Sequence, residues 1–400
     1  MVEEKVREGY KRSGVGVIPE DWEVNKLKNL VTKISSGKSK TSSFQNGNYS
    51  IYGSRGEIGR SLNYDYTGRR ILVARVGAYA GTIYSVEGKY SVSDNTLMIE
   101  LQGKSFFYYI LEYLKFQKLN KMVFGSGQPL ITGTQLKKLN ILTPPLKEQK
   151  AIAEVLSDTD DLITSLQKLI DKKEKIKKGA MQKLLTGKER LPGFDGEWEE
   201  KELGEIIEGI YDYTANGSFA ALKENVKYYS KRNYAVLLRT TDLEKKKFEP
   251  ERFTDKKGYD FLKKTSLYGG EIIIANVGSL GNVYKVPKYN MPMTLAPNTY
   301  LINIREKYAK DYIYYMFKTD IFYDKIMTKV GSSAFKSINK DNLRSISMIF
   351  SQDIKEQKAI AQILSEMDAE IEALNKKLEK YKKIKQGMME ELLTGRIRLV

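Results

Sequence analysis

The chain contains no histidine and no cysteine among its 400 residues. It therefore has no imidazole base, no thiolate nucleophile and no zinc finger, and any catalysis must rest on carboxylates, Lys, Tyr or Ser. A few short constellations imitate chemistry. Phe124-Gly-Ser-Gly127 imitates the glycine loop of S-adenosylmethionine sites. Such a loop follows a buried strand and opens a helix, but Pro129 comes at once and the counterpart Gly331-Ser-Ser lacks the second glycine. Asp195 with Glu199-Glu200-Lys201 imitates a metal-dependent nuclease, yet the spacing is too short for ligands carried on separate strands. Thr143-Pro-Pro-Leu146 has neither the Asn or Asp nor the aromatic residue of an adenine-methylating motif and suits the start of a helix. Lys245-Lys246-Lys247 reads equally as a phosphate grip and as a solvated loop.

Charge points to binding instead. The net charge of +17 suits a polyanionic partner, most naturally nucleic acid. The excess is spread out: residues 1–146 carry 21 basic and 12 acidic side chains, whereas residues 192–354 carry 25 and 22. No apolar run approaches the roughly 18–20 residues that span a bilayer, and the first residues are polar with no signal-peptide apolar region. With no cysteine, these features predict a folded, soluble, cytoplasmic protein.

The elements that position any site are organised by a repeat. At an offset of 208, residues 147–191 match residues 355–399 without a gap, and about 25 of the 45 positions are identical. Each copy opens with Lys-Glu-Gln-Lys-Ala-Ile-Ala (147–153 and 355–361) and closes with Leu-Leu-Thr-Gly-x-x-Arg-Leu (184–191 and 392–399). Both read as long helices. Asp353 followed by Glu356 predicts a capping box, Pro144-Pro145 precedes the other start, and Gly187 and Gly395 stand where a left-handed helix end wants glycine. Gly179 and Gly387 are places where a kink is tolerated.

The apolar residues alternate by four and three: Ile360, Leu364, Met367, Ile371, Leu374, Leu378 and Tyr381 in one copy, Ile152, Leu156, Ile163, Leu166 and Ile170 in the other, with Thr159 and Lys173 interrupting. That is a coiled-coil seam. The two helices can pair parallel or antiparallel, and the antiparallel choice places the domains at opposite ends with a pseudo-twofold axis. A helix of some 37 residues is on the order of 55 Å long, which spans about one to one and a half turns of B-DNA.

Residues 1–146 and 192–354 share a skeleton despite little identity. Each begins with one of the only two tryptophans, Pro19-Glu-Asp-Trp22 and Asp195-Gly-Glu-Trp198. Each has an apolar run into glycine, Ile71–Gly77 and Ile272–Gly278. Asn-Thr pairs at 95–96 and 298–299 precede further strands, Leu97–Leu101 and Tyr300–Ile304. Aromatic helical stretches follow, Phe106–Lys118 and Asp311–Thr328, then Gly-Ser loops beginning at Gly125 and Gly331. The predicted fold is α+β: two mixed α/β recognition domains (1–146 and 192–354) alternating with two helical spacers (147–191 and 355–400), in a nearly circular order.

The paired Lys-Glu-Gln-Lys-Ala-Ile-Ala segments, the Leu-Leu-Thr-Gly helix ends and the Trp-bearing lead-ins together resemble the specificity subunit of a type I restriction-modification system, over nearly all of the chain. The resemblance implies a non-catalytic adaptor whose two target recognition domains each read half of a bipartite DNA site. It implies an antiparallel coiled coil that sets the spacer and docks two modification (methyltransferase) subunits, with restriction (translocase-nuclease) subunits completing the enzyme. S-adenosylmethionine, Mg and ATP then belong to the partners. Base readout is expected from loop side chains entering the major groove: Lys38, Lys40, Arg55, Arg75, Tyr79, Ser126 and Gln128 in the first domain, and Lys231, Arg232, Asn276, Ser332, Ser333 and Lys336 in the second. Arg75 and Asn276 interrupt apolar runs at matching places, so their polarity could instead serve the domain's own backbone.

Overall fold

A computed structural model describes residues 6–39, 47–103, 107–122, 130–245, 248–330 and 336–399. The repeats form two helices of 39 residues each, Leu146–Leu184 and Ile354–Leu392, and Gly179 and Gly387 lie within unbroken helix. Pro145 opens the first by accepting the Glu148 and Gln149 N–H groups at 3.0 Å. Asp353 opens the second by accepting the Lys355 N–H at 2.7 Å. The expected capping box is not formed, because the Glu356 carboxylate is held by Arg190, Trp198 and Ser351. Gly187 and Gly395 follow the helices at φ +70° and +73°. A side chain at Gly395 would put its Cβ 2.6 Å from Pro19.

The chain divides into two compact units, Met1–Leu169 with Leu374–Val400, and Ile170–Ala373. In the first, β1 (Val31–Ser36), β2 (Tyr49–Gly53), β3 (Gly56–Ser61), β4 (Tyr66–Thr67), β5 (Arg70–Ala74), β6 (Ile83–Val86), β7 (Lys89–Val92) and β8 (Thr96–Leu101) form two four-stranded sheets, in the orders β1-β8-β5-β6 and β3-β2-β7-β4. The first sheet is antiparallel, while β2 and β7 run parallel in the second. The run in β5 is apolar throughout because the strand is covered on both faces. Ile71 and Val73 pack with helix α1 (Phe107–Phe116), Ile152 and Leu156, and Leu72 packs with Tyr90 and Val92 of the other sheet.

The second unit repeats this order. Strands β9 (Ile207–Tyr211), β10 (Ala235–Leu238), β11 (Phe253–Thr254), β12 (Ser266–Leu267), β13 (Ile272–Ala275), β14 (Val283–Lys285), β15 (Met293–Leu295) and β16 (Thr299–Ile304) form sheets β9-β16-β13-β14 and β11-β10-β15-β12. Ile272 and Ile274 face one core and Ile273 the other. The expected single aromatic helix is two, α2 (Lys310–Phe317) and α3 (Asp320–Lys329), because the Thr319 hydroxyl accepts the Phe322 N–H and starts a new helix. In both units the Trp-bearing lead-in is a strand paired with the segment just before the long helix, Glu23–Lys26 with Asn140–Thr143 and Trp198–Glu202 with Ser347–Ser351.

Within each unit the long helices run antiparallel. In the first, Thr159 meets Met388 and Lys385 reaches Asp160 and Glu112. In the second, Lys173 pairs with Glu370 and Lys177 with Asp368. No seam residue is exposed. Ile152, Leu156, Leu166, Ile170, Ile360, Leu364 and Leu378 are buried, and Ile163, Met367, Ile371, Leu374 and Tyr381 are half-buried. The start of each helix also packs into a sheet core: Ile152 and Leu156 share one with Leu392 and Leu393, Ile360 and Leu364 another with Leu184 and Leu185. Each fully buried Leu or Ile contributes roughly 1.5–3 kcal/mol.

Candidate nucleic-acid interface

Strand directions gather one set of loops. In the first unit β1 and β5 end where β8 begins, and β2 and β7 end on the same side, since β7 runs into β8 through Ser93–Asn95. Lys38 follows β1, Arg55 follows β2, and Arg75 and Tyr79 follow β5, so four of the expected residues share one end of the sheets. Lys38, Arg55 and Tyr79 are exposed, and Lys38 adjoins Ser39, which is bridged to Ser93. The Arg55 guanidinium lies 4.4 Å from the centre of the Tyr79 ring, a cation–π contact that holds a long basic side chain upright.

Arg75 and its counterpart Asn276 have the same backbone environment. The Arg75 N–H donates to Asn95 O at 3.0 Å, and its carbonyl accepts the Ile131 N–H at 2.9 Å. The Asn276 N–H donates to Asn298 O at 3.1 Å, and its carbonyl accepts the Ile338 N–H at 3.3 Å. Asn298 turns the chain here at φ +71°, a conformation Asn tolerates better than most residues. Arg75 Nε and Asn276 Oδ1 are buried without a hydrogen-bond partner among the described residues. Burial raises the Tyr300 pKa, and a hydrogen bond with the Asn276 side chain works the other way. A buried polar atom without a partner is costly, and such atoms at both equivalent positions mark places where a ligand could supply one.

Lys336 is exposed and adjoins Ser337, which bridges to Val277, so it accompanies Asn276. Lys231 and Arg232 do not. They precede β10, at the end of that strand away from Asn276, because β10 runs parallel to β15 and only the far end of β15 leads to Asn298. Lys40, Ser126, Gln128, Ser332 and Ser333 lie outside the described residues, as do Phe124–Gly127 and Lys246–Lys247. Glu199 and Lys201 sit in a strand and pair at 3.0 Å, and Lys245 pairs with Glu251.

Sequence reasoning missed two charge clasps. Glu148, of the first repeat, accepts the Trp22 indole N–H at 2.9 Å and Arg398 through Nε and Nη2 at 2.7 and 2.8 Å. Glu356, of the second, accepts Trp198 at 3.0 Å and Arg190 at 2.6 and 3.0 Å. Both carboxylates are fully buried. The available signal was the recurrence of Trp, Glu and Arg in both halves.

A family model described as the type I restriction modification DNA specificity domain matches residues 19–178 and again residues 195–384. The chain belongs to that family. It is 28% identical to the putative type I restriction enzyme MjaX specificity subunit of Methanocaldococcus jannaschii, over 98% of this chain and 97% of that one. It is also 28% identical to the MjaVIII specificity subunit of the same organism, over 82% and 79%. The crystal structure of the type I S subunit from M. genitalium superposes with a TM-score of 0.62 at 17% identity, covering 97% of each chain. Among the described residues no helix is long and apolar enough to cross a membrane.

Proposed function

We propose that this chain is the DNA-reading, non-catalytic subunit of a type I restriction-modification enzyme, each unit recognising one half of a split target. The reading rests chiefly on one observation: two units with the same strand order carry different side chains, Arg75 and Asn276, at equivalent loop positions. Arg suits bidentate contact with guanine and Asn with adenine. Each base pair read contributes about 1–3 kcal/mol of discrimination, and joining two readers makes the second contact intramolecular. The excess of cationic side chains supplies the sequence-independent attraction to phosphate.

In this reading the paired long helices set the spacing of the half-sites and dock two modification subunits. Those subunits bring S-adenosylmethionine, and further restriction subunits bring Mg and ATP. Selection from random-sequence duplexes tests the proposal. The expected survivors share a gapped, two-part motif, and a single continuous motif or no enrichment would overturn it.

A further inference from the structure

In each unit the loops beside Arg75 or Asn276 touch one another, but with opposite charge. In the first, the loop after β2 reaches the loop after β5, where the Arg55 guanidinium lies over the Tyr79 ring. In the second, the loop after β10 reaches the loop after β13 through a carboxylate. Glu244 accepts the Ser279 hydroxyl at 3.0 Å and the Tyr284 hydroxyl at 2.6 Å. Strands β10 and β13 hold the places of β2 and β5 in the sheet orders, so Glu244 occupies the station of Arg55. A neighbouring station is inverted in the same way: Lys38 follows β1, whereas Asp212 follows β9 and pairs with Lys340 at 3.1 Å. Glu244 is exposed and makes no ion pair among the described residues. Both of its hydrogen bonds fall on Oε1, which fixes the carboxylate and leaves Oε2 without a partner among the described residues.

An unpaired carboxylate on a surface that meets a polyanion is repelled by phosphate, so it is favourable there only against a hydrogen-bond donor. On the major-groove edge of a duplex those donors are the exocyclic amino groups of cytosine and adenine. Adenine sets its N7 acceptor beside the amino group, and a carboxylate has no hydrogen to offer that lone pair. Cytosine presents the amino group with no such acceptor beside it. Resting on the function proposed above, we propose that Glu244 is a specificity-determining residue, accepting a hydrogen bond from the N4 amino group of a cytosine in the half-site read by the second unit. Arg55 stands at the matching station of the first unit as a donor, suited to guanine O6 and N7.

The test selects bound sequences from random duplexes with the full chain, Glu244→Gln and Glu244→Ala in parallel. The wild type is expected to prefer cytosine about 5- to 150-fold at one position of one half-site. Glu244→Gln is expected to admit adenine at that position, since its amide both donates and accepts, and Glu244→Ala to abolish the preference. The other half-site and the thermal unfolding of both variants stay as in the wild type, and affinity for random duplex does not fall. An unchanged ratio of cytosine to adenine in Glu244→Gln overturns the inference, even where Glu244→Ala fails to fold. So does a change spread over both half-sites, or an altered position at which the wild type prefers a base other than cytosine. Absence of any gapped motif for the wild type counts instead against the function proposed above, and the assignment of Glu244 falls with it.

Discussion

Arg398 holds Glu148 with two hydrogen bonds of 2.7 and 2.8 Å across 250 residues of chain. Its counterpart Arg190 holds Glu356 in the other unit. The arginine at the end of each repeat thus neutralises the glutamate at the start of the other. A buried carboxylate is tolerated only when paired and hydrogen-bonded, and here a guanidinium fork and an indole N–H satisfy it.

Removing one partner leaves the other charge stranded. Arg398→Ala is expected to destabilise the unit containing Glu148 by about 3–5 kcal/mol, and Arg398→Lys to recover only part of this, since Lys lacks the planar fork. Chemical denaturation of the two variants checks this. An Arg398→Ala midpoint equal to that of the wild type would show the clasp to be inert.

Two kinds of glycine should respond oppositely to alanine. Gly395→Ala is expected to cost more than about 1 kcal/mol, because L-residues resist positive φ and the Cβ would meet Pro19 at 2.6 Å. Gly179 lies inside a helix with nothing within 4 Å of its would-be Cβ, so Gly179→Ala should stabilise by roughly 0.5–1 kcal/mol. Melting temperatures of the two variants moving the same way would contradict the backbone argument.

Alkaline titration should weaken the unit Ile170–Ala373. Burial pushes the Tyr284 and Tyr314 hydroxyls up to about 12, above the unfolded value near 10. A folded-state pKa raised in this way contributes stability below the unfolded value, and that contribution is lost as pH rises through about 12. Tyrosinate absorbance followed against pH should show a late-ionising class that Tyr284→Phe and Tyr314→Phe diminish. Ionisation of every tyrosine near 10 would refute it.

Base preference should be separable by unit. Arg75→Gln is expected to alter selection at one position of one half-site, with a loss of about 1–3 kcal/mol for the preferred base, and Asn276→Ala to act only on the other half. A change spread evenly over both halves would indicate phosphate contact instead.

Much of the architecture was legible because it is local. Period-seven apolar spacing exposed the helices and their seam, and continuous apolar runs exposed β5 and β13, strands covered on both faces. What was not legible depends on partners remote in sequence. Asp353 and Glu356 have the spacing of a capping box, but Arg190, 166 residues earlier, claims the glutamate. That Lys231 and Arg232 stand at the opposite end of β10 from Asn276 follows only from the parallel pairing of β10 with β15. Thr319 inside an aromatic stretch gave no strong warning of a helix break, because its capping hydroxyl is also an acceptable helix-surface group.

The crossed arginine–glutamate pairs also tie the fates of the two copies together. A mutation late in one repeat is felt by the glutamate that opens the other, so neither copy can drift in these positions without a compensating change in its twin. Selection on the pair, rather than recent duplication alone, is then sufficient to keep Glu148, Arg190, Glu356 and Arg398 alike while the loops between them diverge.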